Sequence, residues 1–103
     1  MISLTQKQLN TVRHILTEYV PDSEVRAFGS RVDGKMKSYS DLDLAIIGTH
    51  PIDGDVMRLL REAFQESDLP FRIDVLDWNA ISDSFKRVIE KKNVVLQQRV
   101  ILK

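Results

Sequence analysis

Hydrophobic residues recur at helical spacing in three stretches of the chain. The first stretch follows Thr5, whose hydroxyl can cap a helix together with Gln8, and Pro21 ends it. The other two stretches cover residues 56–64 and residues 81–93. A single helical turn is also predicted over residues 30–33, closed by the Asp33-Gly34 pair.

Three shorter apolar segments predict β-strands, at residues 25–28, 41–47 and 71–76. Polar and apolar positions alternate at the start of the second strand, and its remainder is apolar throughout, as in a central strand buried on both faces. Residues 35–40 are polar and are predicted to form a loop, while residues 94–96 can be either a strand or a packed tail.

This order of elements predicts one α/β domain over residues 1–103, with a small β-sheet covered by helices. The connection between the first two strands holds only one helical turn, so we expect a mixed rather than a purely parallel sheet. A chain of 103 residues with 43% hydrophobic residues can build its core without disulfides, and it contains no cysteine.

Charge and hydropathy exclude several classes of protein. Fifteen basic and fifteen acidic residues give zero formal charge, which argues against direct nucleic-acid binding through a basic surface. No apolar run approaches the roughly 20 residues of a membrane helix. The first ten residues lack the basic and apolar pattern of a secretory signal. We therefore expect a soluble cytoplasmic protein without membrane contact.

Three acids indicate a metal site. Asp41 and Asp43 lie two positions apart in a predicted strand, so their side chains share a face, where a cation between them would relieve their repulsion. Mg²⁺ is commonly held by one or two carboxylates and substrate phosphates. Asp74 adds a third ligand if its strand lies beside the second. Taken singly, each acid is also typical of a turn or strand end, and Asp77, on the opposite face from Asp74, is predicted to cap a helix.

The segment Gly29-Ser30-Arg31 indicates a phosphate-binding turn ten residues before Asp41. Backbone N–H groups at a helix start favour an anion, and glycine permits its close approach. The Ser30 hydroxyl and the Arg31 guanidinium can add further donors. A Gly-Ser pair is often only a turn, and an arginine is often only solvated. The joint pattern of strand, Gly-Ser and acidic strand is what indicates nucleotide binding.

Residues 29–34 (GSRVDG) and 40–46 (SDLDLAI) closely resemble the signature of minimal nucleotidyltransferases of the DNA polymerase β-like superfamily. Residues 73–78 (IDVLDW) look like the strand that carries the third carboxylate of that family. The resemblance implies a mixed-sheet fold and Mg²⁺-dependent transfer of a nucleoside monophosphate, with two metal ions as the expected number. It implies that Asp41, Asp43 and Asp74 are catalytic metal ligands and that Gly29 and Ser30 hold the triphosphate.

Members of this size resemble the antitoxin of type VII HEPN/MNT toxin–antitoxin pairs. That likeness implies transfer of AMP from ATP to a tyrosine hydroxyl of a HEPN ribonuclease toxin, which is thereby inactivated. The length supports the same expectation, because a second domain that grips an acceptor is not expected within 103 residues. A partner protein would then present the acceptor.

Two other functions fit the same residues. One is a catalytically silent homologue that neutralises its partner by binding alone, although such a protein has no need of three acids. The other is a transferase that modifies a small acceptor, as aminoglycoside-type enzymes do, although that activity calls for a second domain.

Overall fold

The structure is a computed structural model, and it describes residues 2–34 and 40–99. Of the loop predicted over residues 35–40, only Ser40 lies within the described residues. In chain order the elements are α1 (Gln6–Tyr19), β1 (Glu24–Phe28), α2 (Ser30–Asp33), β2 (Leu42–Ile47), α3 (Gly54–Gln65), β3 (Ile73–Asp77), a 3₁₀ turn (Trp78–Ala80), α4 (Asp83–Lys91) and β4 (Val94–Gln97).

Side chains that cap the helix starts explain where the helices begin. The Thr5 hydroxyl accepts a hydrogen bond from the Gln8 N–H at 3.1 Å, and the Gln8 side chain accepts one from the Thr5 N–H at 3.0 Å. Asp53 caps α3, and Ser82 caps α4. The predicted capping box of α1 is confirmed, and so is the helical turn α2. The helix α4 begins two residues later than its hydrophobic pattern predicts, because Ser82 caps it.

The four strands form one mixed sheet in the order β3-β2-β1-β4, so the predicted architecture is confirmed. The pairs β1–β2 and β1–β4 are antiparallel, and β2 and β3 are parallel. Val94–Gln97 is a strand, which decides between the two structures considered for this segment. The third strand begins at Ile73, so Phe71 precedes it rather than opening it.

Both faces of the sheet are covered, as predicted for the second half of β2. On the first face, Leu42, Leu44 and Ile46 pack in the main core with side chains of α1 and α3. On the second face, Ala45 packs with Phe28 and with Ile89 of α4. Asp43 alternates with the apolar residues of the first face and therefore lies on the second. Among residues 2–34 and 40–99, every helix is too short or too polar to span a lipid bilayer.

Candidate active site

Two of the three acids predicted to bind metal, Asp43 and Asp74, lie at neighbouring strand positions. Asp43 of β2 is paired with Asp74 of the parallel strand β3 on one side and with Phe28 of β1 on the other. Paired residues of neighbouring strands project to the same face of a sheet, so Asp43 and Asp74 share the second face. Asp41 directly precedes β2 rather than lying within it. The adjacency of the second and third strands, on which the site depends, is therefore present.

The electrostatics of Asp43 report the crowding of these acids. Burial, followed by the negative charges of Asp74 and Asp41, raises the pKa of Asp43 to about 6. A carboxylate in this position is more stable when a cation offsets its neighbours, so the donor set fits a hard divalent ion. Asp74 also forms an ion pair with Arg72 at 3.3 Å, and the Arg72 side chain is 77% exposed. Such an exposed pair is weak and can be exchanged for a better ligand.

The side chains of the three acids are not arranged around a common point where one ion could bind. Within residues 2–34 and 40–99, no three acidic or histidine side chains are arranged so that they could hold one ion. Binding of an ion therefore requires the carboxylates to turn toward it. Because the ion pair of Asp74 among the described residues is with an exposed arginine, its reorientation should cost little.

Gly29 brings the turn before α2 against the carboxylate of Asp43. Its φ of 84° and ψ of −159° lie in a region that is almost restricted to glycine. A β-carbon at this position would clash with the Asp43 carboxylate and lie 3.3 Å from its carboxyl carbon. The α2 helix starts at Ser30 without any side-chain cap, so its first N–H groups suit an anionic ligand. The Ser30 hydroxyl adjoins this helix start.

Arg31 is not the solvated side chain that was the alternative to a phosphate contact. It is buried, and its Nε and Nη1 donate to the backbone carbonyls of Ser40 and Ser3 at 2.8 and 3.0 Å. Burial lowers the pKa of Arg31, and the nearby charge of Asp41 acts in the opposite direction. A phosphate contact through Arg31 stays a prediction, whereas the hydrogen bonds to Ser40 and Ser3 connect it to the backbone.

A cleft of about 890 Å³ contains Asp43 and Asp74. Its size falls within the range of ligand pockets. Phe28 and Phe85 line part of it and meet edge to face, with ring centres 5.9 Å apart. Gly29, Ser30 and Asp41 do not line this cleft. Gly29 is nevertheless next to the cleft, because it packs against Asp43, which lines it. Neither phenylalanine is marked as a site residue by the sequence pattern, although Phe28 directly precedes Gly29.

Asp77 has the structural role predicted for it. One carboxylate oxygen accepts from the Asn79 N–H at 3.0 Å and caps the 3₁₀ turn. The other accepts from the Ile52 N–H at 2.9 Å. Both contacts are typical of a carboxylate that holds loops together, and Asp77 lies on the opposite face from Asp74.

Comparison with known proteins agrees with this geometry. Residues 10–100 match the family model of polymerase β nucleotidyltransferases. A probable protein adenylyltransferase, MntA, from Haemophilus influenzae is 50% identical over 98 residues, which cover 95% of this chain and 86% of that protein.

Solved structures of toxin–antitoxin complexes share the fold. A crystal structure of a toxin–antitoxin with AMP-PNP matches 85% of this chain and 71% of the other at 21% identity, with a TM-score of 0.73. A structure of a tri-AMPylated HEPN toxin of Shewanella oneidensis in complex with an MNT antitoxin matches 90% of this chain and 71% of the other, also at 21% identity, with a TM-score of 0.68. The matched family model, the MntA relative and the shared fold lead to one conclusion: the chain belongs to the polymerase β nucleotidyltransferase family.

Proposed function

We propose that this chain is a Mg²⁺-dependent protein adenylyltransferase that acts as the antitoxin of a HEPN toxin. The observation that carries the proposal is the pairing of Asp43 with Asp74 on neighbouring strands, with Gly29 packed against Asp43. The 50% identity to a probable protein adenylyltransferase supports AMP as the transferred group. The shared fold with an MNT antitoxin bound to a tri-AMPylated HEPN toxin supports the class of partner.

In this proposal Asp41, Asp43 and Asp74 hold Mg²⁺, with two ions as the expected number, and Gly29 and Ser30 face the triphosphate of ATP. Bound Mg²⁺ would supply charge neutralisation on the phosphates and a lower pKa for the attacking hydroxyl. The crowded carboxylate of Asp43, with a pKa raised to about 6, supports a cation at this position.

The reaction is an in-line displacement at the α-phosphorus of ATP. A tyrosine hydroxyl oxygen of the partner forms the new bond to phosphorus, the bond to the β-phosphate oxygen breaks, and pyrophosphate leaves. The Asp74 carboxylate accepts the proton of the attacking hydroxyl. Catalysis in this type of reaction comes mainly from positioning and charge stabilisation, which a rigid strand pair supplies.

ATP and a HEPN ribonuclease would meet this protein in the cytoplasm, which is the compartment that we propose for it. Attachment of AMP to the toxin's tyrosine would abolish its ribonuclease activity. The acceptor would thus be supplied by the partner protein, and the antitoxin would supply the nucleotide site.

The direct test is to incubate the protein with the product of the neighbouring gene as the candidate partner, Mg²⁺ and ATP, and to measure the intact mass of both chains. One or more AMP masses on a partner tyrosine, located by peptide fragmentation, are expected. A tight complex without added mass would refute transfer and favour neutralisation by binding alone. AMP on a small-molecule acceptor but not on the partner would refute the proposed substrate.

A further inference from the structure

Arg31 is buried beside the Gly29–Ser30 turn although its guanidinium carries a charge. Its exposed fraction is 3%, and it is the single charged or polar side chain classed as buried among residues 2–34 and 40–99. An arginine is stable in such a position only where its donors and its flat face have partners. The contacts of Arg31 therefore indicate which parts of the candidate site depend on it.

The hydrogen bonds of Arg31 join two chain segments to α2. Its Nε donates to the carbonyl of Ser40 at 2.8 Å, directly before Asp41. Its Nη1 donates to the carbonyl of Ser3 at 3.0 Å, and the Ser3 N–H donates back to the Arg31 carbonyl at 2.8 Å. The guanidinium thus holds the backbone two residues before β2 begins, and it anchors the segment that precedes α1.

The flat face of the Arg31 guanidinium packs against the segment that leads into the N-terminal end of β3. Its guanidinium carbon lies 3.9 Å from the ring centre of Phe71, which precedes Asp74 by three residues. A cation over an aromatic ring is attracted by the negative charge of the ring face, and the attraction is stronger where water is excluded. The N-terminal ends of β2 and β3 are also joined by a hydrogen bond of 2.9 Å from the Leu42 N–H to the Arg72 carbonyl.

We infer that Arg31 is a positioning residue. It holds the N-terminal ends of β2 and β3, and with them Asp41 and Asp74, in a fixed position relative to the Gly29–Ser30 turn. The inference rests on the proposed nucleotidyltransferase function. In this role Arg31 binds backbone carbonyls of the protein and does not contact the triphosphate. A guanidinium suits this position, because a lysine ammonium cannot donate to two separate carbonyls and also stack flat on a ring.

The test is steady-state transfer by Arg31→Lys, which keeps the charge and removes the planar fork. We expect kcat to fall about 10- to 100-fold, because small misplacements of reacting groups cost about that much. The KM for ATP should change by a smaller factor than kcat, because the Gly29–Ser30 turn that faces the triphosphate is retained. A raised KM with unchanged kcat would instead assign Arg31 to the triphosphate and overturn the inference, as would unchanged values of both.

Two further variants control for a purely structural effect. Arg13→Lys removes another guanidinium that donates to a backbone carbonyl, that of Leu96 at 3.1 Å, far from the acids. It should leave kcat unchanged. If Arg31→Lys does not fold, Phe71→Leu removes the ring that stacks on Arg31 and keeps an apolar side chain against the core and in the cleft. It should lower kcat in the same direction by a smaller factor, and an unchanged kcat would overturn the inference.

Amide hydrogen exchange separates this inference from the proposed function, because it needs no activity. In Arg31→Lys the Leu42 amide, which bonds to the Arg72 carbonyl, should exchange at least about tenfold faster, while amides at the centre of α1 keep their protection. If the wild-type protein itself transfers no AMP, faster exchange at Leu42 in Arg31→Lys would still support the positioning role, while the enzyme function would be refuted. Unchanged exchange at Leu42 would refute the positioning role.

Discussion

The backbone of Gly29 packs directly against the carboxylate of Asp43, and a β-carbon at Gly29 would clash with it. The turn that resembles a triphosphate site is therefore in contact with the strand that carries a predicted metal ligand. In an enzyme that binds a metal–nucleotide complex, the metal and phosphates must be adjacent. This packing meets that requirement.

Replacement of Gly29 by alanine should abolish this arrangement. We expect Gly29→Ala to lower the transfer rate about 100-fold, because the Asp43 carboxylate is displaced. The φ of 84° and ψ of −159° should add a loss of about 1–3 kcal/mol in the free energy of unfolding. Transfer kinetics and urea unfolding measure the two effects.

Gly34→Ala is the matched control for this prediction. Gly34 has the same φ of 84°, but a β-carbon there would meet no atom of residues 2–34 and 40–99 within 4 Å. The variant should lose about 1–2 kcal/mol from left-handed strain and retain its transfer rate. Equal losses of transfer in both variants would contradict a specific role for the Gly29–Asp43 packing.

Asp43→Asn should remove transfer and leave the fold intact, because the amide has nearly the volume of the carboxylate. Loss of a metal ligand at the reacting phosphate is worth several kcal/mol, so we expect a fall of about 10³-fold or more in rate. Intact mass of the HEPN partner after incubation measures it, and size-exclusion chromatography checks that the complex still forms. Normal transfer by the variant would show that the metal site is assigned to the wrong residues.

The stability of the metal-free protein should depend on pH through Asp43. Its pKa is raised from 3.8 to about 6, so between these values the folded chain binds more protons than the unfolded chain. Stability should therefore fall as the pH rises through this window, by about 2 kcal/mol after allowance for solvent screening.

Urea unfolding in EDTA from pH 4 to pH 7.5 measures this dependence, and Asp43→Asn isolates the contribution of one group. The variant should be more stable than the wild type at pH 7.5, and the difference should shrink toward pH 4. Parallel pH profiles of the two proteins would refute the crowded carboxylate.

Mg²⁺ and ATP should stabilise the protein through Asp74 but not through Asp77. A ligand at a hundredfold excess over its Kd stabilises the folded state by about 2.7 kcal/mol. We expect this gain in thermal unfolding of the wild type, and expect most of it to be absent in Asp74→Asn.

Asp77→Asn is the control, because Asp77 accepts hydrogen bonds from Ile52 and Asn79 on the other face. It should lower the basal stability by about 1 kcal/mol and keep the response to Mg²⁺ and ATP. A lost response in Asp77→Asn together with a retained one in Asp74→Asn would reverse the assignment of the third ligand.

Local patterns in the sequence predicted most of the elements. The capping box at Thr5, the alternation that separates Asp43 from Leu42 and Leu44, and the single helical turn after Gly29 all depend on neighbours within a few residues. The expectation of a mixed sheet came from the short connection between β1 and β2. These features could be predicted because near-neighbour sterics and hydrogen bonds determine them.

Contacts between distant segments could not be predicted in the same way. The strand Val94–Gln97 pairs with β1, about 70 residues earlier, across an irregularity in register. The burial of Arg31 depends on Ser3 and Phe71, which lie on separate segments. Nothing in the neighbouring sequence indicates that the arginine after Gly-Ser is buried. Its role follows from the packing of the N-terminal segment and of the residues before β3 around it.

The most direct test of the metal–nucleotide site is crystallographic. Crystals grown with Mn²⁺ and an ATP analogue that cannot be cleaved at the α-phosphate would be measured for anomalous scattering at the manganese edge. We predict manganese bound by oxygens of Asp41, Asp43 and Asp74, with the triphosphate against Gly29 and Ser30. Manganese elsewhere, or Asp74 turned away from a nucleotide bound beside Asp43, would contradict the account.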